Sequence, residues 1–224
     1  TSAFAHAIGR LARLTALIEQ TLHAPLTELG LGGGFGVAYT TGHDPMPVAE
    51  IAAGMAALVG RECEAAGIAP PHVTVEPGRA IAGPAGITLY TVGVVKPVTL
   101  AGGLSRLYVS VDGGMSDNIR TALYGADYSA TLASRRSGAP PKLARVVGIH
   151  CESGDIVVKD EYLPADIAAG DILAVPVTGA YCHQMASNYN ATPRPPIVAV
   201  KDGLAEVLVR RETQADLLAR DLYA

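Results

Sequence analysis

Apolar side chains in the first third of the chain recur with the period of an α-helix. Between Phe4 and Leu22, and again between Val48 and Cys63, they stand three or four positions apart, which places them on one face of an amphipathic helix. Each predicted helix is followed by a short run broken by glycine or proline, at 26–36 and at 72–79, that is typical of a strand ending in a loop. The order helix, strand, glycine-rich loop, helix, strand therefore predicts part of a β/α repeat, with its loops at the carboxyl ends of the strands.

The apolar pattern changes at about Ile87. Short runs rich in β-branched residues, separated by turn residues, then predict a mostly β region. The runs are 87–95, 106–114, 143–150, 155–160, 171–177, 195–201 and 205–211. Lys201-Asp202-Gly203 is a hairpin signal between the last two runs, and 212–224 is predicted to be a closing helix. We therefore expect two domains with a boundary near Pro84: the C-terminal part of a β/α (TIM-like) barrel at 1–84 and a mostly antiparallel β-domain at 85–224.

Composition narrows the classes of function that the chain can have. Its 224 residues are 49% hydrophobic and 17% charged, which suits a folded protein with a substantial core. The formal net charge of -4 argues against a protein that binds the phosphate backbone of nucleic acids. The uncharged, mostly apolar stretch 80–95 is interrupted by glycine and proline and is shorter than the roughly 20 apolar residues that span a bilayer. We expect neither a nucleic acid nor a membrane as partner.

Cysteine and histidine usage gives two further expectations. Cys63, Cys151 and Cys182 are too few, and odd in number, for a disulfide framework, so a reducing, cytoplasmic compartment is favoured. The histidines show no metal-ligand spacing, and no metal is expected. Residues 1–20 already have helical period and lack a basic leader with a cleavage site, so we expect the chain to begin within a structural element.

Two segments of the first part carry residues that could bind an anion. In the run 31–36, Leu-Gly-Gly-Gly-Phe-Gly, missing side chains would let backbone N–H groups approach a phosphate. The alternative for such a cluster is simply a tight turn. In 76–79, Glu-Pro-Gly-Arg, a carboxylate and a guanidinium stand together at a strand end and could pair with a ring nitrogen and an anion. The alternative here is a surface ion pair.

Two segments of the second part carry groups suited to proton transfer and ring contacts. Cys151 and Glu152, in the loop 151–155, offer a proton donor beside a group that binds cations. The alternative is a turn around a buried cysteine. Tyr181, at the end of Gly-Ala-Tyr, stands at a predicted strand end and could contact a ligand. The alternative is a tyrosine in the core.

The four segments together, in this order, resemble the fold-type III decarboxylases that depend on pyridoxal phosphate (PLP). The segment 111–126, VDGGMSDNIRTALYGA, narrows the resemblance to the diaminopimelate decarboxylase family. The similarity extends from the first helix to the end of the chain. It implies a PLP-binding β/α barrel followed by a β-domain, and a homodimer whose active sites are shared between subunits.

The resemblance also implies a role for each residue of these motifs. Gly33 and Gly34 would bind the cofactor phosphate through backbone N–H groups, and Glu76 would face the pyridine nitrogen and keep it protonated. The full set implied for the cofactor is Gly33, Gly34, Glu76, Pro77, Gly78, Arg79 and Tyr181. Cys151 would donate the proton after CO₂ is lost. The set implied for the substrate, meso-diaminopimelate, is Arg79, Arg120, Tyr124, Glu152 and Tyr181.

Within this family resemblance, two residues favour diaminopimelate over other basic amino acids. The planar guanidinium of Arg120 suits a distal carboxylate, which the substrates of ornithine, arginine and lysine decarboxylases lack. The acid after the cysteine is Glu152 here, whereas the ornithine-type relatives have aspartate. The activity implied is decarboxylation of meso-2,6-diaminopimelate to L-lysine.

The lysine that would bind the cofactor covalently lies on an early barrel strand in this family. The lysines of this chain are Lys96, Lys142, Lys159 and Lys201, and none has a matching context. We therefore expect a fragment, inactive alone, of a complete enzyme. The alternatives are a non-catalytic homologue, which should have lost residues needed only for catalysis, and a decarboxylase of another basic amino acid.

Overall fold

The computed structural model describes residues 2–222, which form two compact units. Unit 1 comprises the residues up to Ala38 together with 42–81, and unit 2 comprises 39–41 and the chain from Ala82 onwards. The short segment 39–41 therefore belongs with the later part of the chain. None of the described helices has the length and apolarity needed to cross a bilayer.

Unit 1 contains two amphipathic helices and two short parallel strands. Its elements are α1 (Ser2–Leu22), β1 (Glu28–Gly30), α2 (Val48–Ala66) and β2 (His72–Thr74), and α3 (Arg79–Ala82) follows. The predicted apolar faces of α1 and α2 meet through Ile8, Ala12, Val59 and Cys63, which are all buried. Both helices are confirmed. Glu28 of β1 pairs with His72 of β2 in parallel register, and two strands are too few to close a barrel.

Unit 2 is built on a six-stranded sheet with strand order β5-β8-β3-β4-β6-β7. Its strands are β3 (Ile87–Thr99), β4 (Ser105–Val111), β5 (Thr131–Leu132), β6 (Pro141–Val147), β7 (Ile156–Pro164) and β8 (Ile172–Pro176). Alternate side chains of β4, from Leu107 to Val111, are buried, which is the period-two pattern of a strand with one face in the core.

One strand pair departs from the predicted antiparallel order. β4 and β6 run parallel, with Leu107 opposite Ala144, while the other neighbours in the sheet are antiparallel. Parallel neighbours need a long crossover connection, and here the connection is 112–140. It contains the short helix α4 (Arg120–Tyr124), which the sequence pattern did not predict. The connection therefore carries Arg120 and Tyr124, two of the predicted substrate residues.

The end of the chain forms a separate hairpin and a short helix. Strands β9 (Ile197–Lys201) and β10 (Leu204–Val209) are antiparallel, and Asp202 and Gly203 at the turn have φ values of 52° and 75°. Two positive φ values are the signature of the tight hairpin turn that the sequence predicted. The closing helix α5 (Gln214–Leu218) begins at a capping box formed by Thr213 and Asp216. It is shorter than the predicted segment 212–224, whose last two residues lie outside the described range.

Candidate functional site

The buried carboxylate of Asp155 joins the loop that precedes α4 to the loop that contains Cys151. The carboxylate of Asp155 accepts hydrogen bonds from the backbone N–H groups of Met115 at 2.6 Å and His150 at 2.7 Å. A Cβ atom at Gly114 or Gly148 would stand within 2.5 Å of that carboxylate. Glycine is therefore required at both positions for the two loops to close around Asp155.

Asp117 fixes the other end of the same loop. Its carboxylate accepts hydrogen bonds from Gly114 N–H at 2.6 Å and from the hydroxyl of Tyr90 on β3. Burial raises the pKa of the Asp117 carboxyl, and burial together with the contact to Asp117 raises the pKa of Tyr90. Asp117 therefore joins this loop to strand β3.

Arg120 is a buried guanidinium surrounded by aromatic rings. Only 8% of its surface is exposed, and its Cζ atom lies 5.5 Å from the ring centres of Tyr124 and Tyr181 and 5.9 Å from that of Tyr39. Among the described residues, no carboxylate forms an ion pair with it, and its buried Nε has no hydrogen-bond partner. The structure thus brings together three of the predicted substrate residues and adds Tyr39, which the sequence analysis missed.

The loop that carries Tyr181 has an unusual backbone. Val177 and Tyr181 have φ values of 62° and 64°, a region that β-branched and bulky residues rarely adopt and that clusters at functional sites. Between them, Gly179 N–H donates to the carbonyl of Gly83 at 3.1 Å. Tyr181 is 45% exposed, so the alternative of a core tyrosine is wrong.

Cys151 and Glu152 stand exposed at the tip of their loop, so the alternative of a buried cysteine is also wrong. The hydroxyl of Tyr189 donates to Glu152 Oε1 at 2.8 Å, and this bond raises the pKa of Tyr189. The side-chain amide of Asn190 lies 4.0 Å from Cys151 Sγ. Neither Tyr189 nor Asn190 was predicted, because 37 positions separate Tyr189 from its partner and no local pattern marks such a contact.

In unit 1 the predicted glycine loop and Glu76 lie side by side at the carboxyl ends of β1 and β2. Glu76 N–H donates to the carbonyl of Gly32 at 2.8 Å, and a Cβ atom at Gly33 would stand 2.7 Å from the Glu76 carbonyl oxygen. Gly34 has a φ of 95° and open space where a side chain would be. Pro77 and Gly78 lie in the turn from β2 into α3, and Arg79 is the first residue of that helix.

This part of unit 1 fits a phosphate-bearing cofactor. Ligands of α/β folds bind at the carboxyl ends of parallel strands, and a glycine loop leaves its backbone N–H groups accessible to an anion. Gly33 has no room for a side chain, and Gly34 has a backbone conformation that favours glycine. Among the described residues no group of three or more His, Cys, Asp or Glu side chains could hold a metal ion.

Comparison with known proteins identifies the family of this chain. Residues 37–179 match the family described as pyridoxal-dependent decarboxylase, C-terminal sheet domain. The chain belongs to this family of PLP-dependent decarboxylases. Several proteins similar to this chain carry the name diaminopimelate decarboxylase. The one from Mycobacterium tuberculosis is 54% identical over 199 residues, which are 89% of this chain and 44% of the relative.

Two further comparisons agree. Diaminopimelate decarboxylase of Corynebacterium efficiens is 48% identical over 219 residues, 98% of this chain and 48% of the relative. The crystal structure of diaminopimelate decarboxylase from M. jannaschii in complex with L-lysine is 27% identical, with a TM-score of 0.85 over 99% of this chain and 48% of that one. The chain thus spans about half the length of the relatives it matches.

Proposed function

We propose that the chain is the C-terminal part of a PLP-dependent decarboxylase that converts meso-2,6-diaminopimelate to L-lysine. The names of its relatives and the L-lysine bound by the M. jannaschii protein support this substrate and product. The proposal concerns the complete protein, because the chain spans only about half of each relative.

One observation carries the substrate assignment: Arg120 is buried without a counter-ion among the described residues. A buried charge is costly unless it is paired, so an anionic ligand is expected. The distal carboxylate of diaminopimelate can meet the guanidinium in a bidentate pair. Tyr124 and Tyr181, whose rings lie 5.5 Å from the guanidinium, would complete the pocket for that end of the substrate, and Arg79 is proposed to contribute a second cation.

The residues proposed to bind the cofactor lie in the glycine loop and the neighbouring turn of unit 1, together with Tyr181. When bound, PLP acts as the electron sink for the charge left on the substrate Cα when CO₂ departs. Gly33 and Gly34 would hold its phosphate through backbone N–H groups, with Pro77, Gly78 and Arg79 in the neighbouring turn. Glu76 would pair with the pyridine nitrogen, and Tyr181 would contact the cofactor.

Proton transfer is assigned to Cys151 and recognition of the distal amino group to Glu152. Both side chains are exposed, which leaves them accessible to a substrate. Cys151 would give the proton of Sγ to the substrate Cα, and Glu152 would bind the distal ammonium. In the proposed homodimer, these two residues act in the active site of the partner subunit.

The domain boundary near Pro84 and the remaining half of the protein are also proposals. The parallel strands and helices of unit 1 support its assignment to the end of the PLP-binding barrel. The lysine that binds the cofactor covalently would lie in the rest of the longer protein. A cytoplasmic location is a prediction that rests on cysteine usage.

The test is a decarboxylation assay with the purified full-length protein loaded with PLP. We expect meso-diaminopimelate to yield CO₂ and L-lysine, with L-ornithine, L-arginine and L-lysine at least about 100-fold poorer as substrates, since a site built to pair a polar group rejects analogues that lack it. Cys151→Ala should lower kcat by about 100-fold, in the range typical of general acid catalysis. No turnover of any of these substrates would support a non-catalytic homologue, and a preference for ornithine, arginine or lysine would support the other enzyme class.

A further inference from the structure

The segment 188–191 contacts three consecutive residues of the Cys151 loop. Tyr189 donates to Glu152, and its ring centre lies 5.1 Å from that of His150. The amide nitrogen of Asn190 lies 3.5 Å from His150 Nδ1 and 4.0 Å from Cys151 Sγ. Each residue from 150 to 152 therefore has a partner on this one segment.

The segment is itself held at both ends. Ser187 N–H donates to the carbonyl of Ser116 at 2.8 Å, and the Asn188 amide donates to Glu212 at 2.6 Å and to the carbonyl of Thr192 at 3.1 Å. These bonds hold the segment in place, so that its side chains can orient other residues.

Its backbone is also constrained in the left-handed region. Asn190 and Ala191 have φ values of 53° and 55°. Asparagine tolerates this region, whereas alanine adopts it at a cost of about 1 kcal/mol or more. Such a conformation persists only where the surrounding contacts enforce it, and here it brings the Asn190 amide close to Cys151.

We propose that Tyr189 and Asn190 are positioning residues for the proton donor and the acid beside it. Asn190 orients the Cys151 thiol, and Tyr189 holds the Glu152 carboxylate in one orientation. This proposal rests on the roles proposed above for Cys151 and Glu152.

The chemistry of each contact explains its effect. When Cys151 gives its proton to the substrate Cα, the S–H bond breaks, a C–H bond forms and the electron pair of the S–H bond stays on sulfur. An amide N–H near the sulfur favours the resulting thiolate. The Tyr189 hydroxyl occupies only Oε1 of Glu152, and Oε2 remains for the ammonium of a substrate.

His150 lies between Ser116 and Asn190. Its Nε2 atom is 2.8 Å from Ser116 Oγ, and its Nδ1 atom is 3.5 Å from the amide nitrogen of Asn190. The buried imidazole thus packs against the same amide group that approaches Cys151.

The test uses the full-length PLP-loaded protein with the variants Tyr189→Phe and Asn190→Asp. Asn190→Asp keeps the shape and the tolerance of positive φ but replaces the donor by a carboxylate. The first readout needs no turnover: the rate at which iodoacetamide alkylates Cys151 at pH 8, followed by peptide mass. Cys63 and Cys182 are buried and lie on other peptides.

We expect Asn190→Asp to slow alkylation of Cys151 about tenfold and to lower kcat about tenfold with little change in KM, because a carboxylate beside the sulfur disfavours the thiolate that both reactions form. Tyr189→Phe should raise KM for meso-diaminopimelate about fivefold or more and leave alkylation within about twofold. Tyr162→Phe, an exposed tyrosine on β7, is the control and should change neither readout.

The outcomes separate this proposal from the proposed function. If the wild type makes lysine but Asn190→Asp alkylates at the wild-type rate, Asn190 does not position the thiol. If the wild type makes no lysine, the proposed function fails, while slowed alkylation in Asn190→Asp still supports the contact. If Asn190→Asp does not fold, Asn190→Gly takes its place. This variant keeps the backbone conformation but lacks the amide, so it should also slow alkylation of Cys151.

Discussion

The backbone of Gly179 crosses that of Gly86 so closely that neither residue has room for a side chain. A Cβ atom at Gly179 would stand 2.8 Å from the amide nitrogen of Gly86 and 1.9 Å from the carbonyl oxygen of Ala82. Next to this crossing, Thr178 N–H donates to the Gly86 carbonyl at 3.1 Å. The crossing therefore anchors the loop that carries Tyr181.

Gly179→Ala should displace this loop. The added methyl group would meet backbone atoms, which cannot move aside as a flexible side chain could, and overpacking of this kind costs about 1–3 kcal/mol. We expect the free energy of unfolding to fall by that amount, measured by urea denaturation, and kcat/KM of the full-length enzyme to fall more than tenfold because Tyr181 moves. Gly138→Ala is the control, because its Cβ would meet nothing within 4 Å. Equal stability of the two variants would show that the crossing is looser than described.

Arg120→Met tests whether the Arg120 guanidinium is needed for the stability of the fold. A buried charge without an ionic partner is costly, so an apolar side chain of similar length in its place should not destabilise the fold. We expect the free energy of unfolding of the ligand-free protein to stay the same or to rise by about 1 kcal/mol, by urea denaturation. Arg136→Met, at an exposed position, is the matched control. A loss of about 2 kcal/mol or more in Arg120→Met would mean that the guanidinium holds the fold together and that its burial is no sign of a ligand.

Asp171 should make the stability of unit 2 depend on pH. Its buried carboxylate accepts from Arg135 Nε at 2.8 Å, from Arg135 Nη2 at 2.9 Å and from Ala168 N–H at 3.0 Å, and the contact with Arg135 is the main reason why its pKa is lowered to about 2. A lowered pKa favours the ionised form in the folded state. The stabilisation is therefore complete above the unfolded pKa, near 4, and is lost as the pH falls through the folded pKa, near 2.

Asp171→Asn is the variant that tests this. We expect it to lower the free energy of unfolding by about 1.5–3 kcal/mol at pH 7, the range for hydrogen bonds to charged groups, and the difference from the wild type to shrink between pH 4 and pH 2. Asp202→Asn, in the exposed hairpin turn, should change stability by less than about 0.5 kcal/mol at either pH. A difference that stays constant down to pH 2 would exclude the ionised carboxylate as its source.

Much of the fold could be predicted because it follows from local periodicity. The apolar stripes of α1 and α2, the seven β-branched runs and the Asp202-Gly203 turn each carry their own signal, and the structure confirms them. The parallel pairing of β4 with β6 could not be predicted, because strand neighbours depend on how the connection 112–140 crosses over. Helix α4 was missed because its five residues are too short for a helical period.

The candidate site also has a part that could be predicted from the sequence and a part that could not. Gly33, Glu76, Arg120, Cys151 and Tyr181 could be proposed from motifs, since the residue types and their order carry the resemblance. The residues that surround them in the folded protein could not be predicted. The aromatic contact of Tyr39 with Arg120 and the bond from Tyr189 to Glu152 join residues far apart in the chain, and only the folded backbone brings them together. The roles of the motif residues in binding and catalysis stay predictions.

The most direct measurement of the central claim is the rate of L-lysine formation from meso-diaminopimelate by full-length, PLP-loaded Arg120→Ala beside the wild type. Loss of the guanidinium removes the partner of the distal carboxylate, so we predict a fall in kcat/KM of about 100-fold or more, with the fold intact by circular dichroism. An unchanged kcat/KM would contradict the account, because the buried arginine would then not bind the carboxylate that distinguishes diaminopimelate from other basic amino acids.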